Sequence, residues 1–160
     1  MTKQPNSRMC FLCGVENPVG LRMAIYDDAE HMQVVAPVTV SEQFQGYPGV
    51  VHGGIVATML DEVAGRATLI GGNGDELMVT VKLEVKYRQP TPTGTPLLVV
   101  GRLTQPGRSR ARARGEIRLA DGTVTAEAEL VLARPPADFH ARWASERPFW
   151  KVYPDGGGAP

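Results

Sequence analysis

The chain has 160 residues and a mass of 17.3 kDa, the size of one domain that buries roughly two-thirds of its unfolded surface. Lysine plus arginine and aspartate plus glutamate each number 17, so a net charge of zero gives no overall attraction to nucleic acid or to an anionic membrane. No apolar run approaches the roughly 18 residues of a membrane span, and the first residues lack the apolar centre of a signal peptide, so we expect a soluble, cytoplasmic protein.

Two cysteines form a CxxC motif near the start of the chain, at Cys10 and Cys13. One CxxC supplies at most half of a tetrahedral zinc site, and the histidines are scattered. A redox CxxC usually begins a helix, whereas glycine, asparagine and proline follow Cys13. We interpret the motif as a structural turn, keep metal and redox chemistry as the alternatives, and expect no metal and no cofactor.

The first strands are predicted before residue 41. Residues 21–26 alternate weakly, residues 27–30 make an acidic turn, and residues 32–40 are rich in valine and threonine. Together they predict a β-hairpin. Pro37 lies in its second strand and predicts a sheet edge or a bulge there.

Residues 53–70 carry the strongest helical pattern of the chain. Glycine and proline precede the segment, and Gly71–Gly74 is a strong stop signal. The apolar stripe consists of Val56, Leu60, Val63, Ala67 and Ile70, with Met59 beside it. Glu62 and Arg66 lie beside the stripe at a spacing of four, which we interpret as an ordinary solvated ion pair.

Asp61 lies on a different face of this helix. Its neighbours on a helical wheel are all small: Gly54, Ala57, Thr58, Ala64, Gly65 and Thr68. A carboxylate among small side chains leaves room for another molecule or another backbone, and apolar surroundings should raise its pKa. Because the small-residue side needs a cover, we expect a second copy of the chain there, in a homodimer or a homotetramer.

Strand patterns follow the helix without another long helical segment. Residues 77–87 alternate cleanly, with Leu77, Val79, Val81, Leu83, Val85 and Tyr87 on one face and Thr80, Lys82, Glu84 and Lys86 on the other. Further strands are predicted at 97–104, 109–119 and 123–133, with Asp121-Gly122 as a hairpin turn. One long helix between antiparallel strands predicts an α+β fold, a sheet wrapped over one central helix.

The strand pattern stops at residue 134. Five aromatic residues follow at spacings that let a short helix or an extended arm lay them on the body: Phe139, Trp143, Phe149, Trp150 and Tyr153. Residues 156–160 predict a flexible end. We divide the chain into one domain over 1–134, of which 1–20 is an N-terminal CxxCG/NP segment, and an aromatic-containing tail over 135–160.

Four stretches carry a resemblance to a known family. They are CFLCGVENPVGL at 10–21, HGGIVATMLDEVAG at 52–65, LMVTVKLEVKYRQPTPTG at 77–94 and DGTVTAEAELVL at 121–132. Over about residues 8–133 the chain resembles the hotdog-fold acyl-CoA thioesterases of the PaaI-like group. HGG with an aspartate eight residues after its first glycine is the specific part. The resemblance implies a hotdog fold, with an antiparallel sheet around one long helix, and acyl-CoA as the substrate. It also implies two active sites at a dimer interface.

The resemblance also implies roles for single residues. Gly53 matches the oxyanion-hole glycine, Asp61 the acidic catalytic residue, as base or nucleophile, and Thr80 a hydroxyl that orients water. We add the Gly54 amide, because the first amides of a helix lack intrahelical acceptors and carry the positive end of its dipole. His52 is interpreted mainly as shaping the loop, with direct proton transfer as the less favoured role.

Two expected substrate contacts complete the site. Several family members carry asparagine or glutamine seven residues before the first HGG glycine, where this chain has Gly46, with Gln45 adjacent and Gln43 near. We therefore expect either that a neighbouring glutamine is the polar partner of the acyl group or that the mechanism does without this partner. Four alternating arginines, Arg108, Arg110, Arg112 and Arg114, would line one strand face. Their guanidinium groups suit the phosphates of coenzyme A, and a solvated face or a subunit contact is the alternative.

Nucleic acid is disfavoured as the ligand of these arginines, because no aromatic residues interleave with them and the net charge is zero. Two other functions fit the same fold. A hydratase or dehydratase needs a histidine paired with its acid, and none lies between His52 and His140. A non-catalytic acyl-CoA sensor usually carries DNA-binding helices, for which 20 N-terminal residues are too few. We expect a thioester hydrolase whose acyl specificity depends on Met59, Leu60 and loop 71–76.

Overall fold

Nine strands and two α-helices make up the described chain, in a computed structural model that describes residues 1–71 and 77–154. The strands are β1 (Thr2–Lys3), β2 (Tyr26–Asp28), β3 (Gln33–Thr39), β4 (Gln45–Tyr47), β5 (Val50–Val51), β6 (Val79–Tyr87), β7 (Pro96–Gln105), β8 (Arg110–Arg118) and β9 (Val124–Ala133). The helices are α1 (Gly53–Gly65), which continues as a 3-10 turn over Arg66–Leu69, and α2 (Ala137–Glu146), which continues as one over Arg147–Phe149. A further 3-10 turn covers Glu42–Phe44.

Seven strands form one antiparallel sheet in the order β1-β2-β3-β7-β8-β9-β6. Strands β4 and β5 make a separate two-stranded ribbon that leads into α1. Helix α1 packs across the middle of the large sheet, against β7, β8 and β9. The predicted α+β arrangement, a sheet wrapped around one central helix, is confirmed.

The core lies between α1 and the sheet. The apolar stripe of the helix faces the strands, and Val56, Met59, Leu60, Val63 and Ala67 are each at most 1% exposed. Two glycines let the helix approach closely: a Cβ at Gly101 would lie 2.4 Å from the Val63 carbonyl oxygen, and one at Gly115 would lie 3.2 Å from Leu60. Because Met59 and Leu60 are core residues, the expectation that they set the depth of a substrate pocket is wrong. Residues 72–76 of the predicted pocket loop and of the stop signal lie outside the described residues.

The predicted N-terminal hairpin is shorter than its sequence pattern. Strand β2 starts only at Tyr26, because the preceding residues bond the N-terminal segment instead: Leu21 and Met23 donate to the Phe11 and Leu12 carbonyls. Pro37 pairs with Leu98 of β7 in a stretch of β3 that β2 does not reach. The predicted edge position of Pro37 is confirmed.

Strand β6 contains a β-bulge at Val81. Thr80 lies opposite Leu132 and Lys82 opposite Val131 of β9, so Val81 is the extra residue, and it is 54% exposed. The bulge turns Thr80 toward α1, on the same side as Leu83, and the prediction of uninterrupted alternation is wrong here. Strand β6 is also an edge strand of the large sheet.

The tail returns to the body as α2, which agrees with the predicted short helix. Residues 155–160, including the expected flexible end at 156–160, lie outside the described residues. Among the described residues, no helix has the length and apolar character needed to cross a membrane.

Candidate active site

Asp61 and Thr80 form the central pair of the site. The Thr80 hydroxyl, turned inward by the bulge, donates a hydrogen bond of 2.7 Å to Asp61 Oδ1. Asp61 is half-buried, and this burial raises the pKa of its carboxyl group; the charge of Glu62 adds to the effect and the Thr80 hydrogen bond opposes it. The direction agrees with the sequence expectation for a base or a nucleophile.

The start of α1 presents one free amide. His52 is the N-cap, and its Nδ1 accepts the Gly54 N–H at 2.9 Å. The expectation that both glycine amides are free is therefore wrong for Gly54, because a side-chain cap takes one of the donors that a helix leaves open. Within residues 1–71 and 77–154, the Gly53 N–H meets no acceptor. His52 shapes the helix start in this structure.

Tyr87 contacts the candidate site, although no sequence motif points to it. Its hydroxyl donates a 2.7 Å hydrogen bond to the Gly53 carbonyl oxygen, and its ring lies against Gly53. The end of β6 is thus tied to the start of α1, while Thr80 at the start of β6 is tied to Asp61. The alternating pattern of β6 placed Tyr87 on the helix side but gave no sign of this bond.

Gly53 and Asp61 are far apart within one chain. Eight residues separate them on α1, which corresponds to about 12 Å along the helix axis. A hydrogen-bond donor and a base must each lie about 3 Å from the reacting atoms. One chain alone therefore does not bring both groups to the same thioester carbon.

A cavity of about 420 Å³ opens beside Asp61 and Thr80. Its apolar lining comes from the end of α1, the start of β6, β9 and the tail: Leu69, Leu77, Met78, Leu132, Phe139, Trp143 and Trp150. Its polar lining includes Cys10, Cys13, Glu62 and Arg66. The cavity thus joins the candidate catalytic carboxylate to an apolar compartment.

The CxxC motif forms a tight turn on one wall of this cavity. Cys10 Sγ accepts the Leu12 and Cys13 amides at 3.3 and 3.4 Å, and a Cβ at Gly14 would lie 2.3 Å from the Cys10 carbonyl oxygen. A hydrogen bond from the Cys13 side chain lowers the pKa of Cys10 to about 7, whereas that bond and burial raise the pKa of Cys13. This geometry supports the interpretation as a turn.

A cation already sits in the cysteine cluster. The ligand atoms of Cys10, Cys13 and Glu62 lie within 4.8 Å of one another, a set that could hold a metal ion. The Arg66 guanidinium, however, lies 3.0 Å from Cys13 Sγ and 2.8 Å from Glu62 Oε1. The Arg66 guanidinium therefore occupies the place between these ligand atoms, and a metal ion would have to displace this buried group.

The interpretation of Glu62 and Arg66 as a solvated surface pair is wrong. Arg66 is 6% exposed, donates to Glu62 and to the Pro5 carbonyl, and lies under the Trp150 ring at 4.4 Å. The N-terminal segment and the tail cover this part of α1. The helical pattern of α1 alone does not show that the N-terminal segment and the tail pack over it.

Glu62→Gln should lower the stability of the fold. The substitution leaves the buried Arg66 without its counter-charge, and we expect the free energy of unfolding to fall by about 2–3 kcal/mol, since glutamine keeps one acceptor. Chemical denaturation measures the change. Glu84→Gln is the matched control, because the Glu84 side chain is 72% exposed in its pair with Lys82. Equal stabilities of the two variants would contradict a structural role for the Glu62–Arg66 pair.

The arginine stripe is confirmed for three of its four members. Arg110, Arg112 and Arg114 project from the exposed face of β8, and the residues between them are buried. Arg108 lies in the bend before the strand and borders a second cavity of about 400 Å³, so its placement on the strand face is wrong. Arg114 pairs with Glu127 at 3.4 Å. In the described part of the chain, the Arg110 and Arg112 side chains pair with no acidic group.

Gln45 and Gly46 lie in the ribbon beside the helix start. Both are exposed, and a Cβ at Gly46 would lie 3.3 Å from His52 Cα. They thus stand at the Gly53 end of α1, away from the Thr80 end. Their expected contact with substrate stays a prediction.

Known proteins share parts of this sequence. A family model described as the thioesterase superfamily matches residues 48–126, the range that holds α1, Thr80 and the arginine stripe. The acyl-coenzyme A thioesterase THEM4 of Rattus norvegicus is 28% identical over 90 residues, which cover 56% of this chain and 37% of that protein. THEM4 of Bos taurus is 30% identical over 82 residues, 51% of this chain and 32% of that protein. The chain thus spans about a third of the length of these curated relatives.

Solved structures give the same fold. The crystal structure of a thioesterase superfamily protein has a TM-score of 0.72 and 32% identity, and the match covers 79% of this chain and 63% of that one. A Streptococcus mutans protein bound to acetyl CoA has a TM-score of 0.58 and 22% identity over 64% of this chain and 81% of its own, a likeness that shows the fold alone. Residue patterns, fold and relatives agree: over residues 48–126 the chain matches the thioesterase superfamily, and it has the hotdog fold.

Proposed function

We propose that this protein is an acyl-CoA thioesterase that hydrolyses an acyl-CoA thioester to a free acid and CoA. The observation that carries the proposal is the half-buried Asp61 carboxylate, which Thr80 holds at the wall of a cavity with an apolar compartment. The relatives named acyl-coenzyme A thioesterase and the fold neighbour bound to acetyl CoA support this choice of substrate.

Asp61 has two chemical roles open to it. As general base it takes a proton from water while the water oxygen bonds the thioester carbon, and the protonated carboxyl then gives that proton to the departing CoA thiolate. As nucleophile it bonds the acyl carbon while the carbon–sulfur bond breaks and the CoA thiolate leaves. Water then hydrolyses the resulting anhydride to the free acid and the regenerated carboxylate, which releases the proton that the thiolate takes. In both routes negative charge develops on the carbonyl oxygen, and the Gly53 N–H at the positive end of α1 stabilises it.

The separation of Gly53 and Asp61, about 12 Å along the helix axis, supports a site shared by two chains. Strand β6 is an exposed sheet edge, and Val81 and Tyr87 on it are each 54% exposed. Antiparallel pairing of two β6 edges sets Thr80 of one chain near Tyr87 of the other. Because Thr80 bonds Asp61 and Tyr87 bonds Gly53, this pairing brings Asp61 toward the partner subunit's Gly53. We therefore place the thioester between two protomers of a homodimer, alone or within a homotetramer.

The alternatives make different demands on the same cavity. A hydratase or dehydratase needs a histidine beside the acid, and the described lining of the Asp61 cavity contains none. A non-catalytic acyl-CoA binding protein would bind the thioester and leave it intact.

Gln45 and Gly46, at the Gly53 end of α1, are proposed to contact the substrate on the side of its carbonyl oxygen.

A panel of acyl-CoA thioesters with a thiol-reactive dye tests the proposal on the purified protein. We expect release of free CoA, with saturation, from at least one acyl-CoA. Tight binding of acyl-CoA without thiol release would assign the protein to the binding class. Consumption of an enoyl-CoA with no thiol release would assign it to the hydratases.

Arg110 and Arg112 are proposed to bind the phosphates of CoA, because they are exposed arginines on one strand face and no acidic group among the described residues pairs with them. Each alanine substitution, Arg110→Ala or Arg112→Ala, should raise KM for acyl-CoA by about tenfold or more, the value of a lost charge-assisted hydrogen bond. A short thioester without the nucleotide is the control, and its KM should hold. Equal effects on the two substrates would assign these arginines to structure or to a subunit contact.

A further inference from the structure

Three aromatic residues of the tail line the cavity that contains Asp61. Phe139 and Trp143 come from α2 and Trp150 follows its 3-10 extension; we call these three residues the aromatic wall. The rings contact one another: Phe139 and Trp143 are stacked at 6.3 Å, and Trp143 and Trp150 meet edge to face at 5.2 Å. The wall lies outside residues 48–126, where the family model matches.

The body of the protein holds the tail in this position. The Glu146 carboxylate accepts the Arg8 amide at 2.6 Å, and Asn6 and Lys151 bond each other through their backbones. Trp150 lies over the buried Arg66 guanidinium. These bonds join the tail to the N-terminal segment and to α1, so the aromatic wall is a fixed part of the cavity.

The cavity has a polar lining at Asp61 and Thr80 and around Arg66, and an apolar lining elsewhere. Leu77, Met78 and Leu132 line the cavity together with the aromatic wall. A volume of about 420 Å³ lies within the range of small-molecule pockets and is far larger than an acetyl group needs. The polar groups on the Arg66 side bond one another, which leaves the apolar surfaces to meet a ligand.

We propose that the aromatic wall binds the acyl group of the substrate and that Trp143 and Phe139 make the enzyme selective for bulky apolar acyl groups over acetyl. The inference rests on the proposed thioesterase function. A thioester carbon beside Asp61 directs its acyl chain into the apolar compartment, where contact with the rings removes apolar surface from water. Medium-length alkyl and aryl-acetyl groups share this chemistry.

Trp143→Ala tests the role of the wall through a ratio of rates. We expect kcat/KM for octanoyl-CoA or phenylacetyl-CoA to fall at least about tenfold and that for acetyl-CoA to stay within about twofold. The ratio is measured in one preparation, so it does not depend on the folded fraction. Whichever of the two bulky substrates loses more identifies the alkyl or the aryl class. Trp143→Phe should restore most of the selectivity.

Arg142→Ala is the matched control on α2, because that side chain is 81% exposed, and it should keep the wild-type ratio. Equal losses for acetyl-CoA and the bulky substrates in Trp143→Ala would overturn the inference and leave the thioesterase proposal standing. If the wild-type protein releases no thiol from any substrate, the thioesterase proposal fails, and calorimetry with the thioether S-octyl-CoA still decides about the wall. If S-octyl-CoA binds the wild type at least about tenfold more tightly than CoA, and Trp143→Ala abolishes this difference, the proposed role of the aromatic wall is supported. Equal affinities of S-octyl-CoA and CoA for the wild type would overturn it.

Discussion

Asp61→Asn should lower kcat for acyl-CoA hydrolysis by at least about a hundredfold, the contribution of a positioned acid-base group. Asparagine keeps the shape of the side chain, and its oxygen still accepts the Thr80 hydroxyl, but it can neither take a proton nor attack a carbon. KM should change little, because the interaction that is lost belongs to the transition state. Steady-state kinetics with the best substrate of the acyl-CoA panel measures the effect.

The same variant has a predicted stability and a predicted pH signature. The pKa of Asp61 is raised above the ordinary value of 3.8 by burial, so the folded state holds the proton more tightly and ionisation costs stability at neutral pH. Asp61→Asn should therefore keep or raise Tm. In the wild type, activity should fall as the pH is lowered, since only the carboxylate acts as base or nucleophile. The midpoint of this fall should lie above pH 3.8.

The exposed Glu30 supplies the control for Asp61→Asn, because Glu62, beside Asp61, binds the buried Arg66 and its loss would disturb the fold. Glu30→Gln should leave kcat and Tm unchanged. Retention of more than about half of kcat in Asp61→Asn, with thioesters still hydrolysed, would place the catalytic group elsewhere.

Gly53→Pro should lower kcat by about a hundred- to a thousandfold, because proline has no N–H to stabilise the oxyanion. The helix should tolerate the change. Proline suits the first helical position, and His52 before it already has the extended backbone (φ −56°, ψ 135°) that proline requires. Kinetics and Tm on the same sample separate the lost donor from misfolding.

Gly53→Ala is the matched variant that keeps the amide. Its Cβ would lie 3.4 Å from the Tyr87 hydroxyl, an ordinary contact, so kcat should stay within about tenfold of wild type. Equal losses in the alanine and proline variants would show that space at Gly53, rather than its N–H, matters for turnover.

Local periodicity made much of the fold predictable. The stripe of α1 and the arginine alternation of β8 depend on residues close together in sequence, and both patterns are present in the structure. Asp61 and Thr80 were identified from the helix face and the family resemblance, and the structure joins them by a hydrogen bond.

Tertiary contacts explain what the sequence did not show. The bulge at Val81 depends on the register against β9. The burial of Arg66 depends on Pro5, 61 residues before it, and on Trp150, 84 residues after it. His52 takes the Gly54 amide through a side-chain rotamer that no pattern encodes. The division at residue 134 stays a proposal, and the aromatic wall shows that the tail contributes to the cavity beside Asp61.

A shared site is the central claim, and a mixed dimer tests it most directly. Asp61→Asn and Gly53→Pro chains, each inactive alone, are co-expressed, and the total activity of the purified mixture is measured. A mixed dimer pairs an intact Gly53 from one chain with an intact Asp61 from the other at one of its two sites. With random pairing, half of the dimers are mixed, so we predict about a quarter of wild-type activity. Activity no higher than that of the two separate variants, in a mixture shown to contain mixed dimers, would contradict the shared site.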